Sequence, residues 1–231
     1  MKKLMFVMLC VGAGLVLCGT AQATNLLLNA GFETNGGSGG SAADHWTETL
    51  VAPNFDGSAT GVEGWANQGV DSAWGMAVYW WNNPGGVAGG NGGFYQSVAV
   101  TAGQAYDFSC WTLRDGGGQW LPDPENPEGP TIWVPNDMTG TYTMKIDWLA
   151  GETLLGTTSQ DITYTMGTEG WVLMTLSGTA LAGADTAHVG FDAVGVNNAG
   201  KFDNASFDVV PEPITMALLG LGSLFLARRR K

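Results

Sequence analysis

Between residues 24 and 209, apolar residues recur at every second position in short runs, and no stretch sustains the 3.6-residue period of an amphipathic helix. Such a chain is confined to strands with one face buried and one face wet. Runs of this kind lie near residues 25–29, 45–51, 62–67, 75–82, 93–100, 104–113, 140–149, 158–165, 171–179, 186–195 and 202–209, and Gly, Asn, Asp, Pro and Thr fill the intervals. Strands so numerous in one domain cannot bury their apolar faces in a single open sheet, which predicts an all-β, antiparallel sandwich. Two stretches break the rhythm. Residues 36–43 form a Gly/Ser loop, and 115–138 form a long insertion rich in Pro, Gly and acidic residues that carries Trp120 and Trp133.

The charge of this region excludes one class of partner. Its only cations are Arg114, Lys145 and Lys201, against twenty of the chain's 21 carboxylates, a net charge of −17. Nucleic acid is therefore no partner, because there is no basic surface to exchange for phosphate counterions. Calcium, neutral sugars and water are the uses open to so many carboxylates. The two histidines, His45 and His188, lie in no metal-ligand spacing and not beside Cys110, and no P-loop signature is present. The sequence thus points to a non-catalytic domain.

Both ends of the chain carry export features. Lys2 and Lys3 precede an apolar stretch from Leu4 to Leu17 and a small-x-small site at Ala21-Gln22-Ala23, the pattern of a signal peptide over 1–23 that leaves Thr24 as the mature N-terminus. Lipidation at Cys18 is the minor alternative, since bulky Leu17 precedes it. Cleavage leaves Cys110 as the one cysteine, so no intramolecular disulfide is expected. The segment 210–231 contains Pro211-Glu212-Pro213, an apolar run of 14 residues from Ile214 to Ala227, and Arg228, Arg229, Arg230 and Lys231. The prolines end any preceding strand, the apolar run can satisfy its backbone in lipid only as a helix, and the terminal cations favour the cytoplasmic side. This arrangement resembles the PEP-CTERM sorting tail of exported Gram-negative proteins, and the resemblance implies recognition by the membrane-embedded enzyme exosortase. A permanent membrane anchor is the other reading of the same run.

Alternation also sorts the aromatic residues. In 104–113, Tyr106, Phe108 and Cys110 share one face and Asp107, Ser109 and Trp111 the other, which makes Cys110 a buried thiol and leaves Trp111 on the more polar side. In 140–149, Tyr142, Met144, Ile146 and Trp148 form a core face. Tyr79-Trp80-Trp81-Asn82-Asn83 is the densest cluster of aromatic and amide side chains, and either Trp80 or Trp81 must point away from the core. All 10 tryptophans fall in this one domain. Packing accounts for most of them, while Trp80, Trp81, Trp111, Trp120 and Trp133, with Asn82, are candidates for stacking on sugar rings.

Three segments resemble galactose-binding-like jelly rolls, the fold of several carbohydrate-binding-module families. They are Asn25-Leu-Leu-Leu-Asn29-Ala-Gly31-Phe32-Glu33, then Gly93 to Trp111 as the central hairpin, and Gly200-Lys-Phe-Asp203-Asn-Ala-Ser-Phe-Asp208 as the closing strand. Their order implies a jelly roll over residues 24–209 with its first and last strands adjacent. The resemblance also implies a structural calcium ion held by Glu33 and Asp203, the alternative being that both are solvated edge carboxylates. The combined expectation is an exported envelope or matrix protein that binds extracellular polysaccharide, or a structural matrix protein of the same fold without a glycan site.

Overall fold

Alternating faces become two sheets. The computed structural model describes residues 24–34, 43–49, 58–63, 70, 75–80, 90–114, 118–135, 140–196 and 199–211. Their strands are β1 (Thr47–Glu48), β2 (Ser58–Glu63), β3 (Gly75–Trp80), β4 (Gly90–Ala99), β5 (Ala105–Arg114), β6 (Gly118–Asp123), β7 (Asn126–Pro135), β8 (Thr141–Ala150), β9 (Thr153–Asp161), β10 (Val172–Thr179), β11 (Thr186–Val196) and β12 (Ala199–Val209). One five-stranded sheet runs β1-β4-β11-β8-β9, the other β10-β5-β12-β3-β2, and the pairings are antiparallel. They pack face to face, with β10 over β9 and β3 over β4 and β11. This is the expected jelly-roll sandwich.

The inward rows are those that alternation marked. Tyr106, Phe108 and Cys110 of β5 are buried, as are Tyr142, Met144, Ile146 and Trp148 of β8. Phe94 of β4 lies at the centre, with ring centroids 5.4 Å from Phe191 in its own sheet and 5.2 Å from Phe202 in the opposite sheet. Phe32 and Trp46, from the segment before β2, approach the same ring at 5.8 and 5.5 Å. Edge-on and tilted contacts of this kind add to the burial of each ring.

Some expected elements differ. Residues 25–29 form no regular strand, because Asn29, at φ 47°, and Phe32, at φ 57°, turn the chain repeatedly. The segment still lies beside the closing strand: Leu26 N–H donates to the Phe207 carbonyl at 2.9 Å, and Ala205 N–H to the Ala30 carbonyl at 2.9 Å. Side-chain amides replace the missing ladder. Asn25 donates to the Ala205 carbonyl and accepts from Phe207 N–H, while Gln96, buried in β4, accepts from Leu28 N–H at 2.7 Å and donates to the Leu28 carbonyl at 2.9 Å. The opening segment is thereby tied to both sheets. Among the described residues 45–49 of the strand expected at 45–51, only β1 is regular, and the insertion expected as a loop is a hairpin, β6–β7, in which Trp120 and Trp133 are direct Cα partners. Residues 158–165 divide between the end of β9 and the turn that follows it.

Because Gln96 itself is buried and bonds the N–H and carbonyl of Leu28 together, its replacement by Ala should cost roughly 2 kcal/mol in chemical denaturation. Gln96→Glu should cost at least as much, since a carboxylate cannot donate to the Leu28 carbonyl. A loss of less than about 0.5 kcal/mol in both variants would show that the clasp contributes little.

Candidate ligand-binding face

Inward rows leave outward rows, and in the β1-β4-β11-β8-β9 sheet these are polar and in register. Thr47, Tyr95, Gly190, Lys145 and Ser159 form one line across five strands, and Ser97, His188, Asp147 and Thr157 form the next. Gly190 stands directly opposite Tyr95, where a Cβ would lie 2.0 Å from the Phe94 carbonyl oxygen, so this position tolerates only glycine. With no side chain facing it, the Tyr95 ring lies diagonally against His188, with centroids 4.1 Å apart and planes inclined by 26°.

Charge is organised around one cation. Lys145 Nζ lies 2.7 Å from Asp192 Oδ2 and 3.1 Å from Asp147 Oδ2, and Thr157 Oγ1 donates to Asp147 Oδ1 at 2.6 Å. Burial alone would lower the Lys145 ammonium, but the hydrogen bonds and charges of Asp192 and Asp147 outweigh it and raise the group above its ordinary range. His188 is lowered, mainly by burial, with Lys145 acting in the same direction and Asp147 opposing. At the end of the face, hydrogen bonds from Thr163 hold the Asp161 carboxyl down. The face as a whole offers one aromatic pair, several hydroxyls and more carboxylates than cations.

Ser97, His188 and Asp147 stand side by side on three adjacent strands, the residue types of a hydrolytic triad. The contacts differ from those of a triad. His188 is stacked on Tyr95, Asp147 is engaged by Lys145 and Thr157, and among the described residues no hydrogen bond joins His188 to either neighbour. A nucleophile–base–orienter relay needs both of those bonds.

The residues singled out from sequence are dispersed. Trp111 is half-buried on the outer face of the other sheet, opposite Leu173 of β10. Trp80 ends β3, its Cα opposite Ser58, and Trp120 and Trp133 are Cα partners in the β6–β7 hairpin. Trp81, Asn82, Glu212, Pro213, Arg228, Arg229 and Arg230 lie outside the described residues, whereas Pro211 is described and exposed. Tyr95, His188, Lys145 and Asp192 were not singled out. Only the pairing of β4, β11 and β8 makes them neighbours.

Glu33 is exposed and Asp203 fully buried. Asp203 accepts backbone N–H groups on both oxygens, from Val70 at 3.1 Å and Asn204 at 2.7 Å. Asn204 adopts φ 46°, and a Cβ placed on Gly31 would lie 3.3 Å from Asn204 Oδ1 and 3.8 Å from the Glu33 Cγ. The Glu33 side chain and the Asn204 amide oxygen therefore border the same space beside Gly31. No group of three or more His, Cys, Asp or Glu side chains placed to hold a metal occurs among the described residues. Cys110 donates to the Asp203 carbonyl at 3.3 Å. Burial pushes this thiol well up, with the Asp203 hydrogen bond opposing and the Asp203 charge reinforcing, so it stays protonated and inert.

Residues 209–231 match the family model described as the PEP-CTERM protein-sorting motif. The chain carries a PEP-CTERM tail. The motif indicates a protein that is exported and sorted to the cell envelope or outer surface, and it implies exosortase as the enzyme that processes it. No curated protein matches the sequence. Among solved structures, the chain is similar to the enzymatically active domain of tailspike protein 4 of bacteriophage CBA120, at 12% identity and TM-score 0.54 over 80% of this chain; it spans only 21% of that chain. It is also similar to a cyclase from Fischerella sp. TAU, at 18% identity and TM-score 0.53, covering 82% of this chain and 98% of the other. TmCBM61 in complex with β-1,4-galactotriose aligns at 15% identity and TM-score 0.46, over 80% and 97% of the two chains. At these identities the likeness is one of fold.

A histidine whose pKa is lowered in the folded state binds its proton more readily when unfolded. His188 therefore contributes stability that is present above its ordinary pKa of about 6.5 and is lost as pH falls towards the depressed folded value. In thermal melts below about pH 6.5, the wild type should lose more stability than a His188→Gln variant, with the two curves parallel above it. Parallel curves throughout would exclude His188 as the source.

Proposed function

We propose that the domain is a non-catalytic glycan-binding module whose ligand lies on the outer face of the β1-β4-β11-β8-β9 sheet. The observation that carries this reading is the Tyr95–His188 stack set beside Lys145, Asp147 and Asp192 on a solvent-facing sheet. A sugar ring presents a C–H face to an aromatic ring and hydroxyls to the carboxylates and hydroxyls around it. Because carboxylates outnumber cations here, a neutral extracellular polysaccharide suits the face better than an acidic one. The absence of His–Asp and Ser–His hydrogen bonds favours binding over hydrolysis. Trp111 and the Trp120–Trp133 pair are further stacking positions in the same reading, with Trp80, Trp81 and Asn82 as the remaining candidates. A structural matrix protein without a glycan site is the competing function.

Calcium has a role in the same proposal, held by Glu33, Asn204 Oδ1 and Asp203. In a domain of charge −17, a bound divalent cation offsets local repulsion and adds about 2.7 kcal/mol at a hundredfold excess over its dissociation constant. One glycan-array and calorimetry experiment tests both parts. Tyr95→Ala should weaken glycan binding about tenfold, and EGTA should lower the melting temperature of wild type but not of Glu33→Ala. Wild-type protein that binds no neutral glycan would favour the matrix reading, and a melting temperature indifferent to EGTA would remove the ion.

For the tail, we take Pro211-Glu212-Pro213 as the element an enzyme reads in extended form, since the tripeptide precedes the apolar run. In a host with the sorting enzyme, mass spectrometry should find the native C-terminus near Pro213, and an Ala-Ala-Ala replacement should keep the full tail. An intact Arg-Arg-Arg-Lys terminus in the wild type would identify the tail as a plain anchor.

A further inference from the structure

The two sides of the sandwich are finished differently. On one side the opening segment is clasped by Asn25 and Gln96, and Phe32 and Trp46 are buried beneath it. On the other side β9 and β10, the terminal strands of their sheets, lie one over the other, and no described strand pairs with their outer edges. Every residue of β9 is exposed or half-exposed, including Leu154 at 57% and Leu155 at 40%, and Leu181, just after β10, is 41% exposed with its Cδ1 against Gly156. Residues 153–160 and 172–179 contain no charged side chain and no proline, in a domain with twenty carboxylates. Proteins ordinarily protect long edge strands with lysine, proline or a covering loop.

From this edge we infer that two copies of the chain pair through β9, antiparallel about a two-fold axis at Thr157. Charge selects a second copy over other partners. Elsewhere two such acidic domains would set carboxylate against carboxylate, whereas here residues 153–160 of each strand carry no charge. A basic partner would find its complement on the carboxylate-bearing faces instead. The register centres each strand on its midpoint: with Thr157 opposite Thr157 of the second copy, Asp161 meets Thr153, Glu152 meets Ile162, and Leu155 meets Ser159, so no carboxylate stands opposite another. Pairing also covers Leu154 and Leu155, which remain exposed in a single copy.

Sedimentation of the full exported chain tests this, together with cross-linking. Wild type should be a reversible dimer, and Leu155→Lys should weaken dimerisation about tenfold or more with an unchanged melting temperature. Leu28→Lys, at a leucine on the clasped side that is more exposed than Leu155, should leave the dimer intact. Thr157→Cys should give a disulfide-linked dimer on oxidation, while Leu28→Cys should not; buried Cys110 does not compete. The cysteine pair decides the question even if Leu155→Lys fails to fold. A wild type that stays monomeric, or a dimer that neither cross-links at residue 157 nor responds to Leu155→Lys, would overturn the inference, as would equal cross-linking at residue 28.

Discussion

The fold depends on one aromatic junction. Phe94 is the ring at which the two sheets and the opening segment meet, touching Phe191 on one side, Phe202 on the other, and Phe32 and Trp46 at the entrance. A sandwich has no other way to hold its sheets together than the side chains between them, because the backbone hydrogen bonds all lie within each sheet. Aromatic rings serve this purpose well, since each buries a large area and costs few rotamers. Phe32 keeps a left-handed backbone that a bulky residue otherwise avoids, and its burial against Trp46 and Phe94 compensates for the strain.

That junction determines what the outer faces can do. With the inward row of every strand committed to the core, the outward row is free to be polar, and in the β4-β11-β8 layer it becomes an ordered network. Lys145 is positioned by two aspartates and Tyr95 by the bare backbone of Gly190, so both side chains are held in place by the fold itself. Preorganisation of this kind distinguishes the face from a merely solvated sheet. His188, opposite Asp147 in β8, is stacked on the Tyr95 ring.

Export and sheet architecture fit one another chemically. A domain bound for the cell exterior cannot rely on a reducing compartment to protect reactive thiols, and its one described cysteine is sealed in the core with a raised pKa. The high acidity favours solubility at the cost of self-repulsion. Residues 153–160 of β9, which carry no charge, are the exception to that acidity.

Much of this was legible in the chain itself. Alternation in 104–113 and 140–149 assigned Tyr106, Phe108, Cys110, Tyr142, Met144, Ile146 and Trp148 to the core, because a strand's two-residue period is local and survives in any sheet. The export tail was equally legible, since its recognition depends on contiguous residues. The opening motif located the segment beside the closing strand but not its conformation, for the ladder there is replaced by the amides of Asn25 and Gln96, and Gln96 lies 68 positions from its partner. The insertion concealed a hairpin because its prolines and glycines speak against strands until the cross-strand register of Trp120 and Trp133 is seen. The candidate binding face was beyond the sequence for the same reason. Tyr95, Lys145 and His188 come from three strands far apart in the chain, and only the order in which those strands pair brings them together.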